Sequence, residues 1–278
     1  MSVGIDQKLS ALRERLADLG SVLVCYSGGV DSAFVLAVAH DVLGDKAIGM
    51  TAVSPSLAPA EKDDAVTIAK TIGAAHRLVE SQEIDDADYV ANNPDRCFHC
   101  KSELYRIAQV KQREWKLGTI LNGTNRDDLG DYRPGLEAAK EAGVVSPLVD
   151  LGFSKQDVRE GALAIGLGVW DKPASACLAS RIPYGTSVTR ERLGKIGRFE
   201  QSLRELGFRQ LRVRYHGDVA RIELGLDELV RAAEAGMRDR IVTAGKDSGF
   251  KYVTLDLGGY RQGSHNEVLV GRSLRVVD

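Results

Sequence analysis

The chain has 278 residues, and its 37 Lys and Arg against 39 Asp and Glu leave a net charge of −2, which argues against a generic polyanion binder working by bulk charge. Hydrophobic residues at 44% and charged residues at 27% sit near the globular average and exclude wholesale disorder. No apolar stretch approaches the ~20 residues needed to cross a bilayer, and the N-terminus lacks the order of basic, apolar and small residues that marks a secretory leader. The expected setting is therefore the cytoplasm, with no membrane partner. Four Cys do not make a secreted disulfide framework, and they read as reactive thiols or metal ligands.

Ile5–Leu19 opens the chain as a charged amphipathic helix, with Leu9, Leu12, Leu16 and Leu19 near helical spacing. Val22–Tyr26 is a compact apolar strand, followed by a Gly-rich turn and a helix from about Ser32 to Leu43. Strands are expected at Ala47–Val53, His76–Val79 and Thr119–Asn122, and helices at Ala60–Ile72, Cys100–Lys116, Pro134–Ala142 and Ser154–Ile165, with Ser154 as N-cap. This alternation predicts an α/β fold: a parallel twisted sheet with helices on both faces. Such sheets bind ligands beyond the carboxyl ends of their strands, where the strand order reverses.

Ile182-Pro183-Tyr184-Gly185 is a turn signal, and charge shifts after it. Residues 1–185 carry 20 basic and 26 acidic side chains, whereas 186–278 carry 17 and 13. The expected domains are 1–185 and 186–278. The second reads as a small α+β unit: a helix from about Thr189 to Leu206, strands at Leu211–Tyr215 and Val219–Leu224 around a His216-Gly217-Asp218 turn, a helix near Leu226–Ala235 and a strand near Tyr252–Leu257.

The most informative segment is Ser27-Gly28-Gly29-Val30-Asp31-Ser32. It joins a buried strand to a helix, so backbone N–H groups at the helix start are free for an anion, aided by the helix dipole. Gly28 and Gly29 let a phosphate approach the backbone, and Ser27 and Ser32 add hydroxyls. The bland alternative is a tight turn with a Ser cap. The segment lacks the Lys of an ordinary P-loop and the spacing of a dinucleotide fingerprint. An Asp inside a phosphate loop suits a divalent cation or a leaving pyrophosphate. The run resembles the signature of the N-type ATP pyrophosphatases (PP-loop enzymes), which split ATP between its α and β phosphates. The resemblance implies ATP and Mg²⁺ as cofactors, nucleotide contacts at Thr51 on the end of the second strand and at Gly123 and Thr124 after the fourth, and Mg²⁺ on Asp31 and Asp128. The run after the fourth strand also reads as a plain Asx-rich loop.

Cys97-Phe98-His99-Cys100, followed by Lys101, reads equally as a zinc half-site, a redox pair, a cluster half-site or an incidental spacing. Cys177 lies in a small-residue segment closed by Ser180 and Arg181, where a cation favours the thiolate; the bland reading makes it a small buried hydrophobe. Cys25 sits mid-strand and reads as core. Arg212 and Arg214 share one face of a strand, with Glu223 on the partner strand; two guanidiniums so spaced suit a phosphate, or are merely solvated charges.

The segments NPDRCFHCKSELY, NGTNRDD with Asp131-Tyr132-Arg133-Pro134-Gly135, and PASACLASR together resemble the LarE sulfur transferases over residues from about 10 to 270. That family adenylylates and then sulfurates pyridinium-3,5-biscarboxylic acid mononucleotide on the way to the nickel-pincer nucleotide cofactor of lactate racemase. The resemblance implies catalytic roles for Cys177, Asp31, Ser180 and Arg181, nucleotide contact by Lys101, and substrate phosphate on Arg212, Arg214 and Glu223. Its two modes are a [4Fe-4S] cluster on Cys97, Cys100 and Cys177, which the cysteine complement favours, and sacrifice of the Cys177 sulfur. It also implies a homo-oligomer acting on a small-molecule nucleotide, with no nucleic-acid partner. The rivals are an amidotransferase such as NAD or GMP synthetase, a tRNA thiolase, and a non-catalytic ATP-sensing module.

Overall fold

The computed structural model describes residues 4–130, 134–173 and 175–261. Asp131–Arg133 and Ala174, parts of two of the motifs above, lie outside the described residues. The chain forms two compact units: Met1–Tyr89 with Asn93–Ser175, and Val90–Asn92 with Ala176–Asp278. The division at Ser175 comes ten residues before the turn at Gly185. The Asn92 side chain belongs to the second unit because it donates to the carbonyls of Pro183 at 2.8 Å and Thr186 at 2.9 Å.

In the first unit the elements run α1 (Ile5–Leu19), β1 (Val22–Cys25), α2 (Val30–Leu43), β2 (Ala47–Val53), α3 (Pro59–Ile72), β3 (Ala75–Glu80), α4 (Ala87–Ala91), α5 (Arg96–Glu114), β4 (Thr119–Leu121), α6 (Pro134–Glu141), α7 (Pro147–Asp150) and α8 (Lys155–Ala164). The four strands lie in the order β3-β2-β1-β4, and all pairings are parallel. The expected parallel sheet is present. Strand β1 is buried along its whole length because both of its faces are covered. Val22 and Val24 join the core with α1, α2 and α8, while Leu23 and Cys25 join a separate core with α5 and α6. The chain steps outward from β1 through β2 to β3 and then returns to β4 on the other side, which leaves a crevice at the carboxyl ends of β1 and β4.

Helix α8 begins with the expected cap: Ser154 accepts from the Asp157 N–H, and Asp157 accepts from the Ser154 N–H, a reciprocal capping box. Helix α5 starts earlier than its composition suggests, so Cys97 and Cys100 fall in its first turns. The short helices α4 and α7 leave too little periodicity to be read in sequence.

The second unit comprises α9 (Arg190–Glu205), β5 (Leu211–His216), β6 (Val219–Leu224), α10 (Leu229–Ala233), α11 (Ala235–Asp247) and β7 (Tyr252–Leu255). β5 and β6 form an antiparallel hairpin around Gly217, and β7 adds in parallel to β6. Phe199 of α9 packs against Phe250, with Leu203, Val213 and Ile222 also buried. The single helix expected near Leu226–Ala235 is in fact a 3₁₀ turn and α10, and an unexpected α11 follows a break at Glu234. Helix α11 buries only Ile241 and Gly245, too thin an apolar stripe to show in the sequence. No helix among the described residues is long and apolar enough to cross a membrane.

Candidate active site

The turn from β1 to α2 has the shape its glycines predict. Gly28 has φ +74, and a Cβ there would lie 2.9 Å from the Cα of Ala65 on α3, so only glycine fits without displacing backbone. Gly29 is the N-cap of α2 and supplies no side chain. The Ser32 hydroxyl receives the Ser27 N–H at 3.1 Å and donates to the Gly29 carbonyl at 3.1 Å, and Ser27 Oγ lies 3.2 Å from it. These hydroxyls brace the loop while the first N–H groups of α2 point outward, the arrangement that binds anions at helix starts.

The segment after β4 presses against this loop. A Cβ on Gly123 would come within 2.6 Å of the Ser32 nitrogen, so its glycine permits the contact. Beyond it, buried Asn125 reaches two acids: its side-chain amide donates to Asp31 Oδ1 at 3.2 Å, and its backbone N–H donates to Asp128 Oδ2 at 3.1 Å. The Lys155 ammonium, at the start of α8, lies 2.6 Å from Asp31 Oδ2. Asp127 accepts the Lys155 N–H at 2.8 Å and so fastens α8 to the same loop. Thr124 donates its N–H to the Asn122 side chain. Sequence reasoning did not single out Lys155 or Asn125. Asn125 lies inside a quoted motif, but Lys155 stands 124 residues from Asp31 in sequence with no local signal.

Thr51 is buried, donates to the Tyr26 carbonyl at 2.7 Å and lies 2.8 Å from His76 Nε2, so its side chain is committed to the sheet. Burial lowers the His76 pKa. None of the four cysteines is in a disulfide: Cys97 and Cys177 are exposed, Cys100 is half-buried and Cys25 is buried. Cys97 and Cys100 stand three residues apart on α5 and therefore share a helix face. Burial pushes the Cys25 thiol up to about 12, against the opposing pull of Lys101, so it is a core residue rather than a nucleophile. Lys101 is open to solvent yet walled by protein, which disfavours its charge. The negative charge that Tyr105 and the cysteines Cys100, Cys25 and Cys97 carry when ionised outweighs this and raises its pKa.

In the second unit, Cys177 precedes a 3₁₀ turn, Leu178–Arg181. Arg181 is buried, and its Nη1 donates to the carbonyls of Ala176 at 2.9 Å and Cys177 at 3.2 Å and to Ser180 Oγ at 3.0 Å. Ser180 Oγ donates to the Cys177 carbonyl at 2.8 Å. The other side of the guanidinium grips Glu200 through two bonds at 2.8 and 3.1 Å. Burial opposes the Arg181 charge, but Glu200 more than offsets it and raises its pKa. Burial likewise opposes the Glu200 charge, and Arg181 outweighs that effect and lowers the carboxyl. Glu200 also accepts the Val213 N–H at 3.0 Å. Its signal in the sequence is a carboxylate on the apolar face of α9, among Ile196, Phe199 and Leu203.

Arg212 and Arg214 share a face of β5 but have different surroundings. Arg214 is buried and paired with Glu223 through bonds of 3.0 and 2.9 Å, and its Nη1 donates to the Ser180 carbonyl. A guanidinium taken from water needs such a carboxylate. Arg212 donates to the Tyr260 hydroxyl at 3.0 Å and stacks on that ring at 5.0 Å, with no ion pair among the described residues. Burial first, and then repulsion from Arg181, lowers its pKa.

The carboxylates beside the phosphate loop fit the Mg²⁺ the sequence implies. Asp31 and Asp128 are hard oxygen donors joined through Asn125, suited to Mg²⁺. Cys97 and Cys100 on α5, and Cys177 in the second unit, are thiols outside any disulfide, the donor type an iron–sulfur cluster takes. Asp86, Asp88 and His99 also bring ligand atoms within 4.8 Å of one another at the surface.

No protein-family model matches the chain. An uncharacterised protein of Synechocystis sp. is 46% identical over 265 residues, covering 95% of this chain and 99% of that protein. Pyridinium-3,5-bisthiocarboxylic acid mononucleotide synthase of Lactiplantibacillus plantarum is 39% identical over 270 residues, 96% of each chain. A glutamine-hydrolyzing GMP synthase component of Archaeoglobus fulgidus is 25% identical over 174 residues, covering 59% of this chain and 56% of that one. Full-length identity to the synthase, on a parallel sheet carrying the phosphate loop, makes this chain a member of the LarE family of ATP-dependent sulfurtransferases, within the PP-loop ATP pyrophosphatases.

Proposed function

We propose that the protein adenylylates a carboxylate of pyridinium-3,5-biscarboxylic acid mononucleotide and converts it to a thiocarboxylate, as a step toward the nickel-pincer nucleotide cofactor used in lactate racemase maturation. The observation that carries this reading is the state of the cysteines: three solvent-reachable thiols outside any disulfide and one inert buried thiol, on a chain whose phosphate loop is intact. The name of the Lactiplantibacillus plantarum relative supports the substrate. An ammonia-using synthetase, the reading the GMP synthase similarity suggests, has no use for those thiols.

The ATP phosphates lie on the N–H groups and hydroxyls of Ser27–Ser32, with Gly123 and Thr124 beside them, the backbone at Thr51 near the base, and Lys101 as a further cation. Asp31 and Asp128 hold Mg²⁺, which neutralises the charge that develops on the departing pyrophosphate. Lys155 and Asn125 keep the Asp31 carboxylate aimed at the loop. A substrate carboxylate oxygen attacks the α-phosphorus and pyrophosphate leaves, giving an acyl adenylate. Arg212 binds the substrate phosphate, with Arg214 and Glu223 supporting it from behind.

Cys177, held by Ser180 and Arg181, then attacks the activated carbonyl, and AMP leaves with the bonding pair. Loss of the Cys177 α-proton and cleavage of its Cβ–S bond would release the thiocarboxylate and leave dehydroalanine. A [4Fe-4S] cluster on Cys97, Cys100 and Cys177 would instead supply exchangeable sulfide and spare the cysteine. The cysteine complement favours the cluster. In this reading the protein is a cytoplasmic homo-oligomer, in a reducing compartment that keeps its thiols free.

Anaerobic iron and sulfide analysis, alongside a count of turnovers per chain, tests the reading. Iron-containing protein that turns over repeatedly supports the cluster, and colourless protein that stops after one turnover with sulfur lost from Cys177 supports sacrifice. Complete ATP consumption with the acid present and no AMP overturns both.

A further inference from the structure

The segment that leads into Cys177 is clasped by helix α3. Glu61 accepts the Ser175 hydroxyl at 2.6 Å and lies 3.2 Å from the Lys172 ammonium. Lys172 also meets Asp64 at 2.8 Å and donates to the Gly28 carbonyl at 3.4 Å. Glu61 and Lys172 are well shielded, with side-chain exposures of 15% and 16%. Glu61, Asp64 and Ala65 stand at i, i+3 and i+4 and so form one face of α3. That single face therefore carries the phosphate loop, through the close approach of Ala65 to Gly28, and the end of the first unit, through Ser175. Cys177 is the second residue after Ser175, and two peptide units keep their Cα atoms within about 7 Å.

We propose that Glu61 is a positioning residue for the sulfur-transfer half of the reaction: by clasping Lys172 and Ser175 it fixes the segment that presents Cys177, and ties that segment to the loop that binds ATP. This rests on the function proposed above. The clasp contributes nothing to making the acyl adenylate. It sets how often sulfur reaches that adenylate before water does, because a displacement of about 1 Å in a reacting group costs up to about a hundredfold in rate.

The test measures pyrophosphate and thiocarboxylate in the same single turnover. Glu61→Ala should leave acid-dependent pyrophosphate release within about twofold while thiocarboxylate formed per AMP falls by about tenfold, the difference going to hydrolysed adenylate. Glu61→Gln, which still accepts the Ser175 hydroxyl, should recover most of that yield. Ser175→Ala, which removes one surface hydrogen bond, should lower it by about threefold. Equal loss of both products in the alanine variants, or no change in the yield, overturns the clasp. Cys177→Ser separates the two levels: if it forms no thiocarboxylate the proposed function stands and the Glu61 result judges the clasp alone. Full product from Cys177→Ser overturns the function and the clasp together.

Discussion

Asp31 and Glu200 are both carboxylates held by a cation, yet they do opposite work. Asp31 and Lys155 are partly open, with side-chain exposures of 24% and 33%, and the carboxylate also takes an amide from Asn125. Such a pair contributes little to stability and can exchange partners when a metal and a polyphosphate arrive. Glu200 and Arg181 are sealed, at 1% and 2%, and joined by two bonds. Breaking that pair strands a charge in a medium of low polarity. Reactivity and rigidity lie apart: exchangeable charge surrounds the phosphate loop, while fixed charge holds the turn that Cys177 caps. Arg212 stands between these cases, shielded but with no carboxylate partner among the described residues, which leaves its charge available to an anion.

Removing each ion pair in turn should separate the two roles. Asp31→Ala should reduce substrate-dependent pyrophosphate release on the order of a thousandfold, the scale of losing one preorganised charge at a transition state, with the urea midpoint unchanged. Unchanged release would remove the loop aspartate from the chemistry. Arg181→Ala should cost about 3–5 kcal/mol of stability by leaving Glu200 buried and unpaired, read from urea unfolding. A loss below about 1 kcal/mol would place that pair with the exchangeable ones.

Two smaller effects sharpen that separation. Arg212→Ala should raise the KM for the phosphate-bearing acid by about tenfold or more, the worth of a charge-assisted hydrogen bond, without lowering Tm. Arg214→Ala should lower Tm, because Glu223 loses its buried partner and keeps only the more exposed Arg221 at 3.2 Å. If the two variants behave alike, the distinction drawn from their surroundings is wrong. The last effect is acid stability of the first unit. Partial burial raises the Asp157 carboxyl, but the bonds from Lys8 and Ser154 outweigh it and hold the pKa at about 2 against 3.8. A lowered folded pKa gives stability that is present above the unfolded value and lost as pH falls through the folded one. Asp157 should therefore contribute about 2 kcal/mol that disappears between about pH 4 and pH 2, a slope that Asp157→Asn should abolish in acid unfolding.

Much of the first unit was legible because its signals are local. The apolar run Val22–Cys25 and the glycines after it predict a buried strand and a phosphate turn from chain neighbours alone, and Ser154 with Asp157 announces a helix start. The second unit was less legible. Helix α11 shows only a stripe of two buried residues, and the burial of Glu200 is marked only by its place on the apolar face of α9.

The amino-acid order by itself determined the parallel sheet, the place and backbone form of the ATP loop, and the cysteine complement, since turns, caps and strand alternation depend on residues a few positions apart. Long-range packing alone decides that Lys155 faces Asp31 across 124 positions, that Arg214 is taken up by Glu223 while Arg212 is not, and that Glu61 meets both Lys172 and Ser175. Which charge is paired, and which is left for a ligand, follows from long-range packing and the cost of removing each from water, and no local pattern records that cost.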